Sequence, residues 1–593
     1  MHYQAPLAEQ AFVLDVIADL PGLAKFEQFA GVDEDIIANV LQEGGRLAES
    51  VFAPLNRLGD KEGVQLSLGT VTHPPGFAEA YRTYVEGGWG GLSAAPQYGG
   101  QGLPFTVAIA FSEQLAASNM AFSLCMMLSA GAVEALSSHG SDRQKALYLP
   151  KLVSGEWTGT MNLTEPQAGS DVGALRTAAT PMQDGSWRIK GSKIFITWGE
   201  HELAENIIHL VLARTPDAPP GTRGISLFLV PKFIPEANGG VGQRNDLRCV
   251  SIEHKLGIHA SPTCTMSFGD NDNCIGWLIG PVNAGMRAMF TMMNAARINV
   301  GLEGVAIAER AYQGALAYAT QRVQSAAIGG RTPVKIIQHP DVRRMLMTMR
   351  ATTQAIRSIA YYNAAAVDRS RAETDPGLRN AAQGIADLLT PITKAYATDQ
   401  GVEMASLGIQ VFGGTGYIEE TGAAQHYRDI RIAPIYEGTN GIQALDLIGR
   451  KLRSDHGTAW RTLIEDLGRT IEALPAAGDI GDIRNAVKSS LANLQEAGDK
   501  VMSMEASDAA GVAGPFLKMC GTVLGAALLA KQAGVAADRL ATHTGEEKFL
   551  SAKIATASFF VEHVLPQAQG LQVSISNAST AKLFALDEQK LGL

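Results

Sequence analysis

From the amino terminus to about residue 161, apolar positions recur at three- and four-residue spacings, the pattern of helices that bury one face. Glycine-rich stretches at Glu86-Gly87-Gly88-Trp89-Gly90-Gly91 and Tyr98-Gly99-Gly100-Gln101-Gly102 break that pattern and read as a loop. Between Val107 and Leu136 the apolar run is broad and includes Cys125-Met126-Met127-Leu128, as expected of one deeply buried helix. Such a methionine cluster is either ordinary core filling or the lining of an acyl pocket. From Thr164 to Ile275 the period shortens. Trp187-Arg188-Ile189-Lys190, Lys193-Ile194-Phe195-Ile196-Thr197, Ile207–Val211, Ser226–Val230 and Thr265–Phe268 read as strands joined by turns. Turn connections, and the lack of any strand followed by GxGxxG, argue against a doubly wound dinucleotide fold. From Gly276 the helical spacing returns, and Ile298, Leu302, Val305, Ala308, Tyr312, Ala315 and Ala319 predict one long helix with Arg297 at its start and Arg322 at its end. Residues 325–334, with Gly329-Gly330 and Pro333, read as a loop, after which helical patterning runs on toward the carboxyl terminus.

This pattern predicts a mainly α protein with a central β-domain. Its parts are a helical N-terminal domain (1–160), a small β-barrel or sandwich (161–275), a helical bundle (276–452) and an appended C-terminal helical domain (453–593). A chain of 593 residues exceeds one compact core, so about three or four domains are expected on length alone. With 46% hydrophobic and 18% charged residues the composition is that of a globular protein.

No Lys or Arg precedes Lys25, and the run between Lys518 and Lys531 is too short to span a bilayer, so the expectation is a soluble, cytoplasmic chain without membrane association. Five cysteines without metal-ligand spacing suggest buried thiols in a reducing compartment, with neither disulfide nor metal. A net charge of −10, and a C-terminal region with no basic face, weigh against nucleic-acid binding. A local arginine still suffices for an anionic small ligand.

Four segments carry candidate chemistry. Thr164-Glu165-Pro166-Gln167-Ala168-Gly169-Ser170-Asp171 is a turn that combines a hydroxyl with a glycine open to close backbone approach. Phe195 and Thr197, two residues apart on a strand, share a face, where an aromatic either packs on the core or stacks on a flat heterocycle. Gln410-Val411-Phe412-Gly413-Gly414-Thr415-Gly416 has glycines whose amides suit a phosphate. Ile435-Tyr436-Glu437-Gly438-Thr439 holds one carboxylate between an aromatic and a glycine; Glu437 is either a helix-capping acid or a base of raised proton affinity. Arg297 and Arg322, roughly 38 Å apart along one helix, cannot grip one small ligand together. Arg322 therefore complements the helix dipole or serves a second site or subunit.

In order and spacing these segments closely resemble the acyl-CoA dehydrogenase family, from about Tyr84 to Arg450. The shared elements are TEPxAGSD at 164–171, aromatic-x-Thr at 195–197, the two arginines, QxFGGxG at 410–416 and IYEGT at 435–439. The resemblance implies FAD rather than a nicotinamide. Leu163, Thr164, Gly169, Ser170, Phe195, Thr197 and Thr439 then correspond to flavin contacts. Arg322, Gln410, Gly413 and Gly414 correspond to residues that hold the FAD diphosphate and adenosine of the partner subunit, which makes a homodimer the minimal unit, with higher oligomers open. Asn294 and Arg297 resemble the CoA-nucleotide grip, and Tyr436 and Gly438 flank the substrate. Glu437 would remove the α-proton of an acyl-CoA while flavin N5 takes the β-hydrogen, and electrons would pass to electron-transfer flavoprotein.

Some branches carry the base on the long helix beside the arginine. Here that neighbourhood is Asn294-Ala295-Ala296, so the base is expected to be Glu437 with no competing carboxylate on that helix. The chain departs from the family at Ser325 and the 326–334 insertion, and at Gly441, where a flavin-binding glutamine is common. The insertion, the C-terminal extension and YEGTNGIQALDL look most like the long branch that includes enzymes acting on 3-methylmercaptopropionyl-CoA in dimethylsulfoniopropionate degradation and similarly sized fatty acyl-CoA dehydrogenases, with the first substrate narrowly preferred. The alternatives are a medium- or long-chain fatty acyl-CoA dehydrogenase and, from other classes, an acyl-CoA oxidase or a DNA-associated flavoprotein.

Overall fold

The computed structural model describes residues 2–236, 239–577, 579–590 and 592. The chain forms two compact units. One holds residues 2–5 and 39–299; the other holds 6–38 and 300–593.

In the first unit a sheet follows the strand order Leu247–Ile252, Thr263–Phe268, Trp187–Thr197, Ile275–Ile279, Ser226–Pro231, Asn206–Ala213, Trp157–Asn162, with Ala178–Pro181 paired beside Trp187–Thr197. It is open rather than closed into a barrel. Among the described residues its strand ladders are antiparallel except that of Trp157–Asn162 with Asn206–Ala213, which is parallel, as is a single bridge between Ala178 and Arg214. Both strands of the parallel pair are fully buried, so they show no alternation. For that reason Trp157–Asn162 was invisible to a period-two search and falls across the expected 160/161 boundary. The helix Met120–His139 lies so close to it that a Cβ at Gly159 would come within 2.3 Å of the Ala132 Cβ. The apolar stretch from Val107 to Leu136 is two helices, Phe105–Ser118 and Met120–His139, parted by Asn119, whose side chain accepts from the Phe122 amide and caps the second.

Two boundaries differ at the start of the helical region. Gly276 lies in the strand Ile275–Ile279, and the long helix runs Gly285–Gln321, placing Arg297 about three turns inside it rather than at its start. Residues expected as a loop form a hairpin, Val323–Ala326 against Pro333–Lys335, with a register shift and a left-handed Ser325 (φ 58°).

The second unit is helical. The long helix crosses the helix Pro376–Phe412 at very short range: a Cβ at Gly304 would lie 2.2 Å from the Ala397 carbonyl oxygen, and one at Gly401 2.8 Å from the Gly304 Cα. The C-terminal extension shares this unit's core. Its helix Ala506–Ala541 lays Gly521 on the Tyr396 ring, and Gln532 donates to the Ser358 hydroxyl on Pro340–Ala372. The amino-terminal helix Leu7–Val16 packs here too, tied by Lys553 Nζ to Glu9 at 2.7 Å and by Arg539 to Asp15. Met120–His139 and Ala506–Ala541 are both long and apolar enough to cross a membrane, which the run between two lysines concealed in the second case. Their most apolar stretches are 72% and 83% buried, as in core helices.

Candidate active site

In the sheet-bearing unit, the 163–170 turn is fastened to the strand Trp187–Thr197 through one buried ion pair. The Glu165 carboxylate accepts from Lys193 Nζ (2.8 Å), the Arg176 and Thr177 amides (2.7 and 3.0 Å) and the Thr177 hydroxyl (2.6 Å). Lys193 Nζ also donates to the Leu163 carbonyl at 3.0 Å, and the Ile194 amide donates to the Thr164 carbonyl at 2.9 Å. Burial works against the Glu165 charge, but Lys193 and these donors outweigh it and hold the carboxyl down at about 2. Burial likewise pulls the Lys193 ammonium down to about 8 against the attraction of Glu165.

Just beyond Lys193 the strand bulges. Its register against Thr263–Phe268 slips between Cys264 and Met266, and Phe195 takes a left-handed backbone (φ 59°). A phenylalanine in that conformation costs roughly 1–3 kcal/mol and persists only where its surroundings enforce it. Here the neighbouring Lys193 is anchored inside, and Trp198, also left-handed, donates its indole N–H to the Ala121 carbonyl at 3.2 Å. The bulge leaves the Phe195 ring 58% exposed, with Ile196 buried and Thr197 half-buried. Leu163, Thr164, Phe195 and Thr197 are thus brought together, with Gly169 and Ser170 exposed on the same turn. A Cβ at Gly169 would meet no protein atom within 4 Å, so its smallness answers no packing demand of this chain. An outward aromatic, a hydroxyl and an uncrowded turn fit the face of an isoalloxazine ring. On the long helix of this unit, Arg297 is 5% exposed with its guanidinium 5.8 Å from the Phe290 ring centre, and Asn294 precedes it by one turn.

The helical unit gathers the remaining residues at two places. Tyr318 stacks on Phe412 (4.5 Å), and the Thr415 hydroxyl donates to Tyr318 Oη at 3.1 Å. The end of the long helix, with Arg322, therefore sits beside Gln410, Gly413 and Gly414. Gly413 is left-handed (φ 63°), and neither glycine has an atom within 4 Å of an added Cβ, leaving space at their amides.

The second place is the 434–440 loop between the helices Ala423–Ile430 and Asn440–Asp446. Glu437 and Gly438 are both left-handed (φ 56° and 82°). Gln443 Nε2 donates to the carbonyls of Glu437 and Gly438 at 3.1 and 3.3 Å. Lys394 Nζ reaches the Gly438 carbonyl (2.9 Å) and Asn440 Oδ1 (2.8 Å), and the Asn440 amide donates to Ala395 O, Thr398 Oγ1 and Asp399 Oδ1. The helix cap falls to Thr439, whose hydroxyl accepts from the Ile442 amide at 3.3 Å, not to Glu437.

The expectation of no competing carboxylate on the long helix fails. Glu303, six residues past Arg297, is 2% exposed and accepts a short hydrogen bond from the Tyr436 hydroxyl. Burial first, and then the charge of Glu437, push its carboxyl up to about 8, although the Tyr436 hydrogen bond and Lys394 oppose them. Tyr436 therefore turns its hydroxyl inward to Glu303. Sequence reasoning passed over Glu303, Lys394, Asn440 and Gln443. The available signal was a charge in each of two apolar helical stretches, Val300-Gly301-Leu302-Glu303-Gly304-Val305 and Ile392-Thr393-Lys394-Ala395.

Family models match along most of the chain: the acyl-CoA dehydrogenase N-terminal domain at 70–156, the middle domain at 160–271, the C-terminal domain at 283–452, and an acetyl-CoA dehydrogenase C-terminal-like region at 463–586. The chain is 44% identical to a 3-methylmercaptopropionyl-CoA dehydrogenase of Ruegeria pomeroyi, over 99% of this chain and 100% of that one. It is 36% identical to a butyryl-CoA dehydrogenase of Syntrophomonas wolfei, over 95% and 94%. Among solved structures, Caenorhabditis elegans ACDH-11 in complex with C11-CoA superposes with a TM-score of 0.77, at 22% identity, over 95% of this chain and 92% of that chain. A flavin-shaped cradle, an ordered run of motifs and matches from end to end lead to one conclusion: the chain belongs to the acyl-CoA dehydrogenase family of FAD-dependent oxidoreductases.

Proposed function

We propose that this acyl-CoA dehydrogenase converts 3-methylmercaptopropionyl-CoA to methylthioacryloyl-CoA, with Glu437 as the base that takes the α-proton. The observation that carries the reading is the Glu437 loop, a left-handed backbone whose carbonyls at Glu437 and Gly438 accept from Gln443 and Lys394, with its carboxylate freed of the capping duty that Thr439 performs. Glu437 accepts the α-proton while its own backbone N–H polarises the thioester carbonyl, lowering the cost of the developing enolate. FAD, when bound, would supply the two-electron acceptor for the β-hydrogen. The products balance as a trans-2-enoyl thioester, one proton on Glu437 and a reduced flavin.

Leu163, Thr164, Gly169, Ser170, Phe195, Thr197 and Thr439 are assigned to the cofactor, and Arg322, Gln410, Gly413 and Gly414 to the cofactor of a second copy in a homodimer. Arg297 with Asn294 holds the CoA nucleotide, and Tyr436 and Gly438 border the acyl group. Electron-transfer flavoprotein is the assigned acceptor and the cytoplasm the assigned location.

The substrate choice draws on the end-to-end match to the Ruegeria pomeroyi enzyme. The Syntrophomonas wolfei relative favours a second reading, a straight short acyl chain. A thioether sulfur is nearly isosteric with methylene, so discrimination of roughly 10- to 200-fold is the most an apolar pocket yields. Turnover of the purified holoenzyme on 3-methylmercaptopropionyl-CoA is to be compared with a butanoyl- to palmitoyl-CoA series. A higher kcat/KM on any straight-chain substrate overturns the assignment. Rapid reoxidation of the reduced enzyme by air would mark an oxidase instead.

A further inference from the structure

Glu303 has no assigned role, yet it is among the most deeply placed acids near the base loop. One of its oxygens, Oε2, accepts from Tyr436, the residue just before Glu437. The other, Oε1, is buried and has no hydrogen-bond partner among the described residues. A buried, half-satisfied carboxyl group costs stability, so a helix does not retain it for packing alone.

Its flanks are built to bring it there. Gly301 and Gly304, on either side of it, are where the long helix meets Pro376–Phe412 most closely: an added Cβ would lie 2.7 Å from the Thr393 carbonyl oxygen at Gly301 and 2.2 Å from that of Ala397 at Gly304. Between those two carbonyls stands Lys394, whose ammonium holds Gly438 and Asn440. The tight crossing thus presents Glu303 and Lys394 to the same loop, one gripping it through Tyr436 and the other through Gly438. The left-handed Glu437 lies between the two grips.

We propose that Glu303 is a positioning residue for Glu437: through the Tyr436 hydroxyl it clamps the left-handed backbone on which the base sits, and it exchanges charge with that base as the second carboxyl of a pair. The proposal rests on the assignment of Glu437 as the α-proton base. The groups facing Glu303 are Tyr436 and Glu437 from the loop and Lys394 from the crossing helix. With its carboxyl near 8, Glu303 is mostly neutral at pH 7 and places little negative charge beside Glu437. As pH rises through 8 the second charge appears, and like-charge repulsion raises the proton affinity of Glu437, making it a stronger base. The two carboxyls then titrate as a pair rather than singly.

The test is anaerobic single-turnover reduction of the holoenzyme flavin by acyl-CoA across pH 5.5 to about 9.5, in wild type, Glu303→Gln and Tyr436→Phe. Wild type should show two ionisations, the upper one near the Glu303 value of about 8, with the rate rising through it. Glu303→Gln keeps an acceptor for Tyr436 but cannot ionise, so its profile should lose the upper ionisation. Tyr436→Phe releases the clamp and should slow reduction roughly fivefold at pH 7, the worth of about 1 kcal/mol for one hydrogen bond between neutral partners. A Glu303→Gln profile superimposable on wild type, or a Tyr436→Phe rate equal to wild type, overturns the proposal. Infrared difference spectra supply a readout independent of turnover. The protonated carboxyl C=O band of Glu303 should be present at pH 7, vanish above about 9, and be missing in Glu303→Gln. That band with no flavin reduction by any acyl-CoA would overturn the functional assignment while leaving the neutral carboxyl in place. Reduction with no such band would overturn the carboxyl pair alone.

Discussion

Replacing Glu165 by Gln removes one charge and keeps the side-chain shape, so it isolates what the buried ion pair does for the flavin cradle. Lys193 would be left 0% exposed without its counter-ion. Breaking a buried pair by deleting one partner costs about 3–5 kcal/mol. An independent ceiling comes from letting Lys193 lose its proton. Holding it neutral at pH 7 against an ordinary value of 10.5 costs about 5 kcal/mol, at ~1.4 kcal/mol per pH unit. The two figures agree, so the penalty should fall between about 3 and 5 kcal/mol. It acts on the turn 163–170 and the bulged strand together, because Lys193 also donates to the Leu163 carbonyl. Glu165→Gln should therefore lower both the urea midpoint of the sheet-bearing unit and the flavin content, read as the ratio of 450 to 280 nm absorbance. The double variant Glu165→Gln/Lys193→Met exchanges the stranded ammonium for an apolar chain and should recover most of the stability. A single variant with wild-type midpoint and flavin content, or a double variant no better than the single, would refute this account of how the cradle is held.

Three further outcomes are expected. Glu437→Gln should remain a yellow holoprotein and fail to bleach with any acyl-CoA; bleaching at the wild-type rate would remove Glu437 from the chemistry. Because Glu303 titrates near 8 in the folded chain against 4.5 when unfolded, its native state binds the extra proton, so its contribution to stability is full below pH 4.5 and lost as pH rises toward 8. Urea titrations at pH 5 and 8.5 should show wild type losing up to about 4 kcal/mol relative to Glu303→Gln over that range, and an equal loss in both proteins would contradict it. Gly304→Ala forces a methyl against the Ala397 carbonyl oxygen and should destabilise the helical unit by about 1–3 kcal/mol. It should also slow flavin reduction by shifting Lys394 and the loop it holds, and an unchanged melting curve would sink the close-crossing argument.

What could be read from the sequence was what repeats locally. Short apolar runs bounded by turns found Ser226–Pro231 and most of Asn206–Ala213, and three- and four-residue spacing found the body of the long helix. Trp157–Asn162 escaped because it has neither alternation nor an apolar run, its Thr, Gly and Asn interrupting the pattern, and the Val323–Lys335 hairpin because its glycines and proline look like any loop. One helix was read where Asn119 makes two, since a capping asparagine inside an apolar run leaves the period intact. At the site, Phe195, Glu437 and the glycines announced themselves by motif. Glu303 and Lys394 did not, because their meaning lies in a helix crossing about 90 residues apart in sequence, and only the carboxyl's burial and its Tyr436 partner give it chemistry.

The attachment of the amino-terminal helix to the last helices has a consequence for how the polypeptide is made. Glu9 finds Lys553, and Asp15 finds Arg539, only after the ribosome has added more than 500 residues. At translation speeds of about 5–20 residues per second, Leu7–Val16 waits roughly half a minute to two minutes for its partners. During that interval residues 39–299 are complete and free to fold, and Tyr361, which accepts from the Gln10 side chain, is made well before either ion-pair partner. The helical unit is therefore completed late, when Ala506–Ala541 and Glu547–His563 come back to Leu7–Val16.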